Sequence, residues 1–277
     1  MLKRLRRMLR HAGIEVVKPA TLDKLIYSER KLRRLSSTVQ FMQHVSPENI
    51  ENILGIVDLA KSQIHQDLFV LIVLDFKKNG YFVEFGATNG VDLSNSWLLE
   101  VGFGWNGILS EPAKSWHYAL SKNRKCNICY ECVWTETGKQ LIFNEVGKGA
   151  FSTLDQYSDE DRHAQSRKHG KKYPVSTISL EHLLTSFNAP RKIDFLSIDT
   201  EGSEFEILAA FDFQSWDISI ITVEHNFTSR RDQIKCLLEA NGYERVLTEL
   251  SDFDDWYVKS SLAEKVRTRF TNRNFEP

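Results

Sequence analysis

The chain has 277 residues, of which 42% are hydrophobic, and its formal net charge is -1 at pH 7. This length allows one large hydrophobic core with a small appendage, and the balanced charge argues against a general nucleic-acid-binding protein. The most apolar run, residues 68–76, is far shorter than the roughly 20 residues that cross a bilayer. The N-terminus lacks the apolar stretch of a signal peptide, so we expect a cytoplasmic protein.

The first 60 residues are predicted to form a helical N-terminal extension. No glycine lies between Gly13 and Gly55, and leucines recur at helical spacing within residues 22–35. Residues 1–12 combine a leucine stripe with five basic residues. Such a segment is typical of a helix that packs on its own domain, joins a homo-oligomer or makes a peripheral membrane contact, and these three interpretations stay open.

From residue 80 onward the pattern alternates between strands and helices. This alternation predicts a doubly wound α/β domain over residues 61–262, with a mostly parallel sheet, helices on both faces and an antiparallel pair at one edge. A C-terminal tail at 263–277 follows. The predicted strands are 81–87, 105–112, 126–134, 139–146, 192–202 and 218–226 with two more in 243–259, and the predicted helices are 97–104, 115–123, 177–187, 203–211 and 230–242.

The alternation fails between residues 144 and 176, where the sequence is polar, charged and glycine-containing. A loop of this length in a compact domain is usually functional or disordered. It connects strands that flank the predicted ligand cleft, so we predict a mobile lid at residues 150–172.

Three of the four cysteines lie close together, at Cys126, Cys129 and Cys132. Their spacing suggests a metal or iron–sulfur site, but no further Cys or His follows at a suitable distance. Residues three apart on a strand also point to opposite faces of a sheet. We therefore expect buried free thiols.

Acidic side chains follow most of the predicted parallel strands. Ligands of open α/β sheets bind beyond the carboxyl ends of the strands, where these acids would meet. Carboxylates crowded in one cleft repel each other, so their concentration there indicates a function. The residues at the strand ends are Glu84, Glu111, Asp199, Glu201, Glu224 and His225.

The glycine turn after the first strand favours one cofactor class over another. Its pattern, Gly86-x-x-x-Gly90, is not the G-x-G-x-x-G of nicotinamide dinucleotide sites. Glu84 just before the turn would repel a pyrophosphate but would suit a cationic ligand. Glu111, which ends the next strand, is placed to accept hydrogen bonds from ribose hydroxyls. Together these features describe a site for S-adenosylmethionine (SAM), a sulfonium joined to a nucleoside.

Four blocks of sequence together resemble the FkbM family of SAM-dependent methyltransferases. They are FVEFGATNGVDLSNSWLLE, GWNGILSEPAKSW, IDFLSIDTEGSEFEIL and ITVEHN, and they occur in the family's order between Ser62 and Lys259. The resemblance implies a Rossmann-like class I methyltransferase fold, whose seven-stranded sheet has the order 3-2-1-4-5-7-6. It also implies O-methyl transfer to a hydroxyl of a sugar, polysaccharide or related natural product.

The resemblance also assigns cofactor contacts by position. The residues at the glycine turn would hold the methionine part, Glu111 the ribose, and the two residues of the next strand the adenine. The implied contacts are Glu84, Gly86, Ala87, Gly90, Ser94, Asn95, Glu111, Cys132 and Val133.

The acceptor hydroxyl must lose its proton as the new bond forms, which requires a general base or a metal ion. Asp199, Glu224 and His225 are the candidate bases. Alternatively, Asp199, Glu201 and Glu224 could bind Mg²⁺, which would lower the pKa of the hydroxyl. Acids such as Glu201 and Glu204 are also favoured simply because they open a helix.

Two other functions are weighed against a methyltransferase. A nicotinamide-dependent oxidoreductase would keep the ribose acid but lacks the phosphate turn. A non-catalytic Rossmann-like module could dock on a membrane-associated glycan assembly through its basic N-terminus. The predicted partners are a glycan or small-molecule acceptor, and no nucleic acid.

Overall fold

The computed structural model describes residues 19–147, 151–159, 161 and 163–271. The prediction for residues 1–12 lies outside this part. The chain divides into two compact units, residues 1–40 and 41–277. Within the predicted helical extension, helix α1 spans Pro19–His44. Among the described helices, none has the length and apolar character needed to span a membrane.

The elements after α1 follow in the alternating order that the sequence predicts. The helices are α2 (Pro47–Leu54), α3 (Gln66–Val73), α4 (Trp97–Phe103), α5 (His117–Asn123), α6 (Ala164–Arg167), α7 (Leu180–Ser186), α8 (Glu204–Ala209), α9 (Arg230–Ala240) and α10 (Ser260–Arg269). The strands are β1 (Tyr81–Phe85), β2 (Asn106–Ser110), β3 (Asn127–Cys129), β4 (Cys132–Trp134), β5 (Gln140–Glu145), β6 (Thr153–Leu154), β7 (Lys171–Ser179), β8 (Lys192–Ile198), β9 (Asp217–Glu224), β10 (Tyr243–Val246) and β11 (Asp254–Lys259). Short 3-10 helices lie at Val57–Leu59 and Asp155–Tyr157.

The larger sheet has seven strands in the order β3-β2-β1-β8-β9-β11-β10. Numbered along the chain within this sheet, the order is 3-2-1-4-5-7-6, which confirms the predicted arrangement. The first five strands are parallel, and β11 runs antiparallel to both β9 and β10. The chain therefore reverses its direction of winding between β1 and β8, where α/β proteins place their ligands.

Hydrophobic side chains cover both faces of this sheet. Along β1, Phe82 belongs to one buried cluster and Val83 to the other, and the same alternation separates Phe195 from Leu196 on β8. Successive side chains of a strand point to opposite faces, so a strand buried on both faces must be apolar almost throughout. This explains the near-continuous apolar runs at these positions.

The single strand predicted at 126–134 is wrong. The chain turns at Tyr130 and Glu131, so that β3 belongs to the large sheet and β4 pairs with β7 in a second sheet. The turn is held because the Ser110 hydroxyl donates to the Glu131 carbonyl at 2.9 Å. The three cysteines of this segment form no disulfide; Cys129 and Cys132 are buried, and Cys126 is partly buried.

The expectation of an irregular loop over 144–176 is also wrong. This segment contains β6, a 3-10 helix, α6 and the start of β7, and it contributes to a four-stranded sheet of order β4-β7-β5-β6. Its order has a physical basis in Leu154, Tyr157 and Val175, which form a small apolar core, and in the fully buried Arg167. Whether the segment moves as a lid stays a prediction.

Candidate active site

The turn between β1 and α4 lies against the end of β8. Gly86 has φ +73°, and a Cβ added there would lie 2.1 Å from the Asp199 carbonyl oxygen. Gly90 has φ +77°, and a Cβ there would lie 2.6 Å from the Arg124 side chain. Glycine is therefore required at both positions by backbone conformation and by close packing.

Glu84 is buried and organises the chain that follows the turn. Its carboxylate accepts hydrogen bonds from the Ser94 hydroxyl at 3.0 Å, from the Asn95 backbone N–H at 2.7 Å and from the Ser96 hydroxyl. These three donors fix residues 94–96 beneath the turn. Glu84 thus fixes the conformation of the predicted cofactor loop.

Arg124 completes this arrangement, and the sequence analysis missed it. Its buried guanidinium donates to Glu100 at 2.6 Å and to the Gly90 carbonyl at 3.1 Å, and it lies 3.8 Å from Glu84. In the sequence, Arg124 stands among polar residues before β3, where it resembles an ordinary surface cation. Its burial depends on contacts with residues more than twenty positions earlier, which no local pattern indicates.

Asn95 carries a free acceptor at the site. Its Nδ2 donates to the Ser197 hydroxyl at 2.9 Å, whereas its buried Oδ1 has no hydrogen-bond partner among the described residues. A buried acceptor left unpaired is costly unless a ligand supplies a donor. The ammonium group of a methionine moiety is such a donor, so this position fits the predicted cofactor.

Glu111 lies directly beyond β2 and is buried. One carboxylate oxygen accepts the Thr88 backbone N–H at 2.7 Å and the other accepts the Ala113 N–H at 2.8 Å. Burial raises the pKa of Glu111 to about 7, against these two hydrogen bonds, which lower it. Each oxygen keeps a second lone pair, so the carboxylate can still accept hydroxyl donors.

The two residues assigned to the adenine, Cys132 and Val133, are buried at the start of β4. Burial and then the negative charge of Glu111 raise the pKa of the Cys132 thiol to about 12. A thiol with such a pKa is protonated at neutral pH and acts as a small apolar group. The environment is thus apolar next to the acid that would bind the ribose, as a base-binding pocket requires.

Three carboxylates meet where β8 and β9 end. Asp199, Glu201 and Glu224 each have an oxygen within 4.8 Å of one another, and we call this group the acid centre. Glu224 is buried and its Oε2 receives no N–H donor in the described parts of the chain, while its carboxyl shares a hydrogen bond with Asp199. Two carboxylates in such contact must share a proton.

Burial raises the pKa of Asp199 to about 7, and the hydrogen bond from Glu224 partly opposes this shift. Burial and the negative charge of Asp199 raise the pKa of Glu224 well above its usual range. Both shifts favour a protonated carboxyl, so the pair holds a shared proton near neutral pH.

Glu201 is held by a residue from the predicted lid. Its Oε2 accepts a hydrogen bond from Arg167 Nη2 at 2.7 Å. Burial nevertheless raises the pKa of Glu201, and the charge of Asp199 adds to this shift. A Mg²⁺ ion bound by all three acids would lie beside the fixed guanidinium that already pairs with Glu201. The acid centre therefore does not fit the predicted metal site.

His225 follows Glu224 but faces another partner. Its Nδ1 accepts the Phe227 backbone N–H at 3.0 Å, so the neutral ring carries its proton on Nε2, which lies 3.8 Å from Asp255. Burial lowers the pKa of His225. In this arrangement neither ring nitrogen offers a lone pair to a substrate.

Glu204 has a structural role at the start of α8. Its carboxylate accepts backbone N–H groups of Thr200 at 2.9 Å and Gly202 at 3.0 Å. Both donors belong to the turn that precedes α8, so Glu204 holds this turn in place. A cleft opens beside it, lined by residues that include Asp161, Glu201, Glu224, Asn226 and Arg230.

The sheet order, the glycine turn, and the acids Glu84 near the end of β1 and Glu111 beyond β2 together define a class I SAM-dependent methyltransferase. A family model described as the methyltransferase FkbM domain matches residues 84–276. The chain belongs to this family. The predicted family and cofactor are thereby confirmed, and the nicotinamide oxidoreductase alternative is wrong. No curated protein matches the chain.

Solved structures give more distant similarities. A precorrin-6y C5,15-methyltransferase from Geobacter metallireducens is 12% identical, with 69% of this chain and 85% of that chain covered and a TM-score of 0.37. A ribosomal protein L11 methylase from Lactobacillus delbrueckii subsp. bulgaricus is 9% identical, with coverages of 70% and 77% and a TM-score of 0.38. The identification stands on the family match and the sheet order.

The first prediction concerns Glu111. Glu111→Ala should weaken SAM binding by about 1–3 kcal/mol above pH 7, because a buried ionised acceptor of the ribose hydroxyls is lost. In the wild type, affinity should fall as the pH drops below about 7, since the free carboxyl then binds a proton that competes with the ribose. Titration calorimetry at pH 6 and pH 8 measures both effects.

The matched control is Glu181→Ala, which removes an exposed acid on α7. It should leave the affinity and its pH dependence unchanged. If Glu111→Ala kept the wild-type affinity at pH 8, the ribose would have to bind elsewhere.

Proposed function

We propose that this methyltransferase transfers the methyl group of SAM to a hydroxyl of a sugar, a polysaccharide or a related natural product. Asp199 is the proposed base and Glu224 its proton-sharing partner. The observation that carries the proposal is the position of this pair, since Asp199 ends the strand next to β1 and its carbonyl lies against Gly86 of the cofactor turn. A base there would adjoin the reacting methyl group.

The chemistry requires alignment and removal of one proton. SAM supplies an electrophilic methyl group on a sulfonium, and displacement from it is in line, so orientation of the acceptor oxygen is the main demand. Glu84, Asn95 and Glu111 would hold the donor side. Asp199 would accept the hydroxyl proton as the oxygen–carbon bond forms and the carbon–sulfur bond breaks, which leaves the donor as a neutral thioether.

Asp199 is preferred to His225 as the general base, because His225 has no lone pair left to accept the proton of the acceptor. The only nitrogen of His225 without a proton already accepts the Phe227 N–H. Asp199 has a pKa of about 7, which suits a base that must be ionised near neutral pH and must still bind a proton during the reaction. The fixed orientation of Glu224 against it would keep its second oxygen turned to the acceptor.

The charge around the acid centre supports an uncharged acceptor. Asp161, Glu201 and Glu224 line one cleft. Both nearby arginines are already paired with acids, Arg167 with Asp161 and Glu201, and Arg230, which also lines the cleft, with Glu206. A phosphate or a carboxylate on the acceptor would be repelled there. A neutral polyhydroxyl compound would instead supply donors to the unpaired acceptors, which supports a glycan and argues against nucleic acid.

The remaining parts of the functional hypothesis stay predictions. These are a cytoplasmic location, formation of a homo-oligomer, a peripheral membrane contact through residues 1–12 and docking on a glycan assembly. Movement of residues 150–172 as a lid belongs with them.

The test of the proposed function is transfer of a labelled methyl group from SAM to a panel of free sugars, glycosides and surface polysaccharides. We expect a labelled methyl ether on a neutral acceptor, identified by mass spectrometry, and no product with the matching phosphorylated or uronic acid acceptors. Transfer to a nitrogen atom, or preference for the anionic acceptors, would contradict the proposal. SAM without acceptor provides the background.

A further inference from the structure

We propose that the guanidinium of Arg167 is the permanent cation of the acid centre, in the place where a divalent metal ion would otherwise be needed. Arg167 is then a positioning residue that the family assignment does not supply. The inference concerns the site of the proposed function and rests on it for its catalytic meaning. Its test uses metal binding alone and needs no acceptor.

The first support is the completeness of the contacts around Arg167. The side chain is only 1% exposed. Nε donates to the Phe151 carbonyl at 2.7 Å, Nη1 to the Tyr157 carbonyl at 3.5 Å and to Asp161 at 2.7 Å, and Nη2 to Asp161 at 3.0 Å and to Glu201 at 2.7 Å. All five N–H donors of an arginine thus have an acceptor.

The second support is the rigidity of this arrangement. Asp161 binds the guanidinium through both of its oxygens, which fixes the plane of the group as well as its position. The backbone carbonyl of Phe151 holds the Nε side. Arg167 therefore cannot swing away to admit another cation unless a buried ion pair breaks, which would leave Asp161 unpaired at a high energetic cost.

The third support is the position of Glu201. It is the acid that joins Arg167 to Asp199 and Glu224, since its carboxylate belongs to the acid centre and its Oε2 accepts from Arg167. A metal ion bound to the three acids would lie next to a fixed positive charge. The guanidinium thus neutralises the charge of Glu201 on one side of the acid centre. The oxygens of the Asp199–Glu224 pair stay available to the acceptor.

The test measures Mn²⁺ binding by the loss of the free-ion signal in electron paramagnetic resonance. Mn²⁺ is the probe because it accepts the same carboxylate ligands as Mg²⁺. The wild type should show no site in the acid centre. Arg167→Met should create one, at least about tenfold tighter than any wild-type binding, because the acids then lose their cation. Adding Glu201→Gln to Arg167→Met should remove it again.

The matched control is Lys168→Met, which removes an exposed positive charge one residue further along. It should bind no Mn²⁺, which separates the position of the charge from the net charge. If Arg167→Met does not fold, Arg167→Met with Asp161→Asn also removes the carboxylate that would be left unpaired, and it should gain the same site. Retained SAM binding shows that a variant is folded.

Two outcomes would overturn the inference. One is a Mn²⁺ site in the wild type that Glu201→Gln abolishes, because the metal and Arg167 would then coexist. The other is a folded variant without Arg167 that binds no more Mn²⁺ than the wild type. Neither outcome depends on methyl transfer, so a failed acceptor panel and a failed metal test remain distinguishable.

Discussion

Asp199→Asn should reduce turnover by about a hundredfold or more, the usual size of a lost proton-transfer role, while SAM affinity stays within a few-fold of the wild type. Asparagine keeps the shape of the side chain but cannot take up the proton of the acceptor hydroxyl. Turnover is measured with saturating SAM and the best acceptor, and SAM affinity by titration calorimetry.

The control for this variant is Asp212→Asn, which changes an acid in an exposed turn after α8. It should keep full turnover. Wild-type activity should also survive EDTA, because the acid centre already contains Arg167. Turnover of Asp199→Asn at the wild-type level would exclude Asp199 as the base. Loss of activity with EDTA and its recovery with Mg²⁺ would instead support the metal hypothesis.

Gly86→Ala should abolish SAM binding and lower the melting temperature. The added Cβ would lie 2.1 Å from the Asp199 carbonyl oxygen, and both partners are backbone atoms that cannot turn aside. The positive φ adds about 1–2 kcal/mol for any residue with a Cβ. The turn must therefore move away from β8, which separates the cofactor loop from the base. Calorimetry with SAM and thermal unfolding measure the two effects.

Gly138→Ala separates the two causes. Gly138 also has a positive φ, of +85°, but an added Cβ there would contact nothing within 4 Å. It should cost only the conformational strain and leave SAM binding intact. If Gly86→Ala behaved like Gly138→Ala, the close approach of the turn to β8 would have no importance for the site.

Much of the fold could be predicted because its signals are local. The apolar runs of β1, β8 and β9 follow from burial on both faces of a sheet, and parallel connection places their ends together. The candidate residues Glu84, Glu111 and Asp199 could therefore be found from their position after an apolar run.

The small sheet could not be predicted in the same way. Strand β7 is half exposed and pairs with β5, which lies about thirty residues earlier. Its short partner strands carry too few residues for a periodic pattern to emerge. The turn at residues 130 and 131 likewise depends on a hydroxyl from β2.

The two buried arginines were missed for a related reason. Arg124 and Arg167 lie in charged stretches of sequence, and each is buried against an acid that is distant in the chain, Glu100 for Arg124 and Glu201 for Arg167. An arginine is rarely buried without such partners, so its local sequence predicts exposure. Pairing of this kind is a property of the tertiary structure.

The contact between Arg167 and Glu201 also constrains how this chain can be recombined with a relative. The small sheet and α6 lie between β3 and β8 in the chain, and exchanging them for the corresponding segment of a relative is an obvious route to a new acceptor range. Such a chimera would inherit Glu201 from one parent and Asp161 with Arg167 from the other. The three residues should therefore be inherited together, and a graft that lacks one of them should unfold at a lower temperature than either parent until the set is restored.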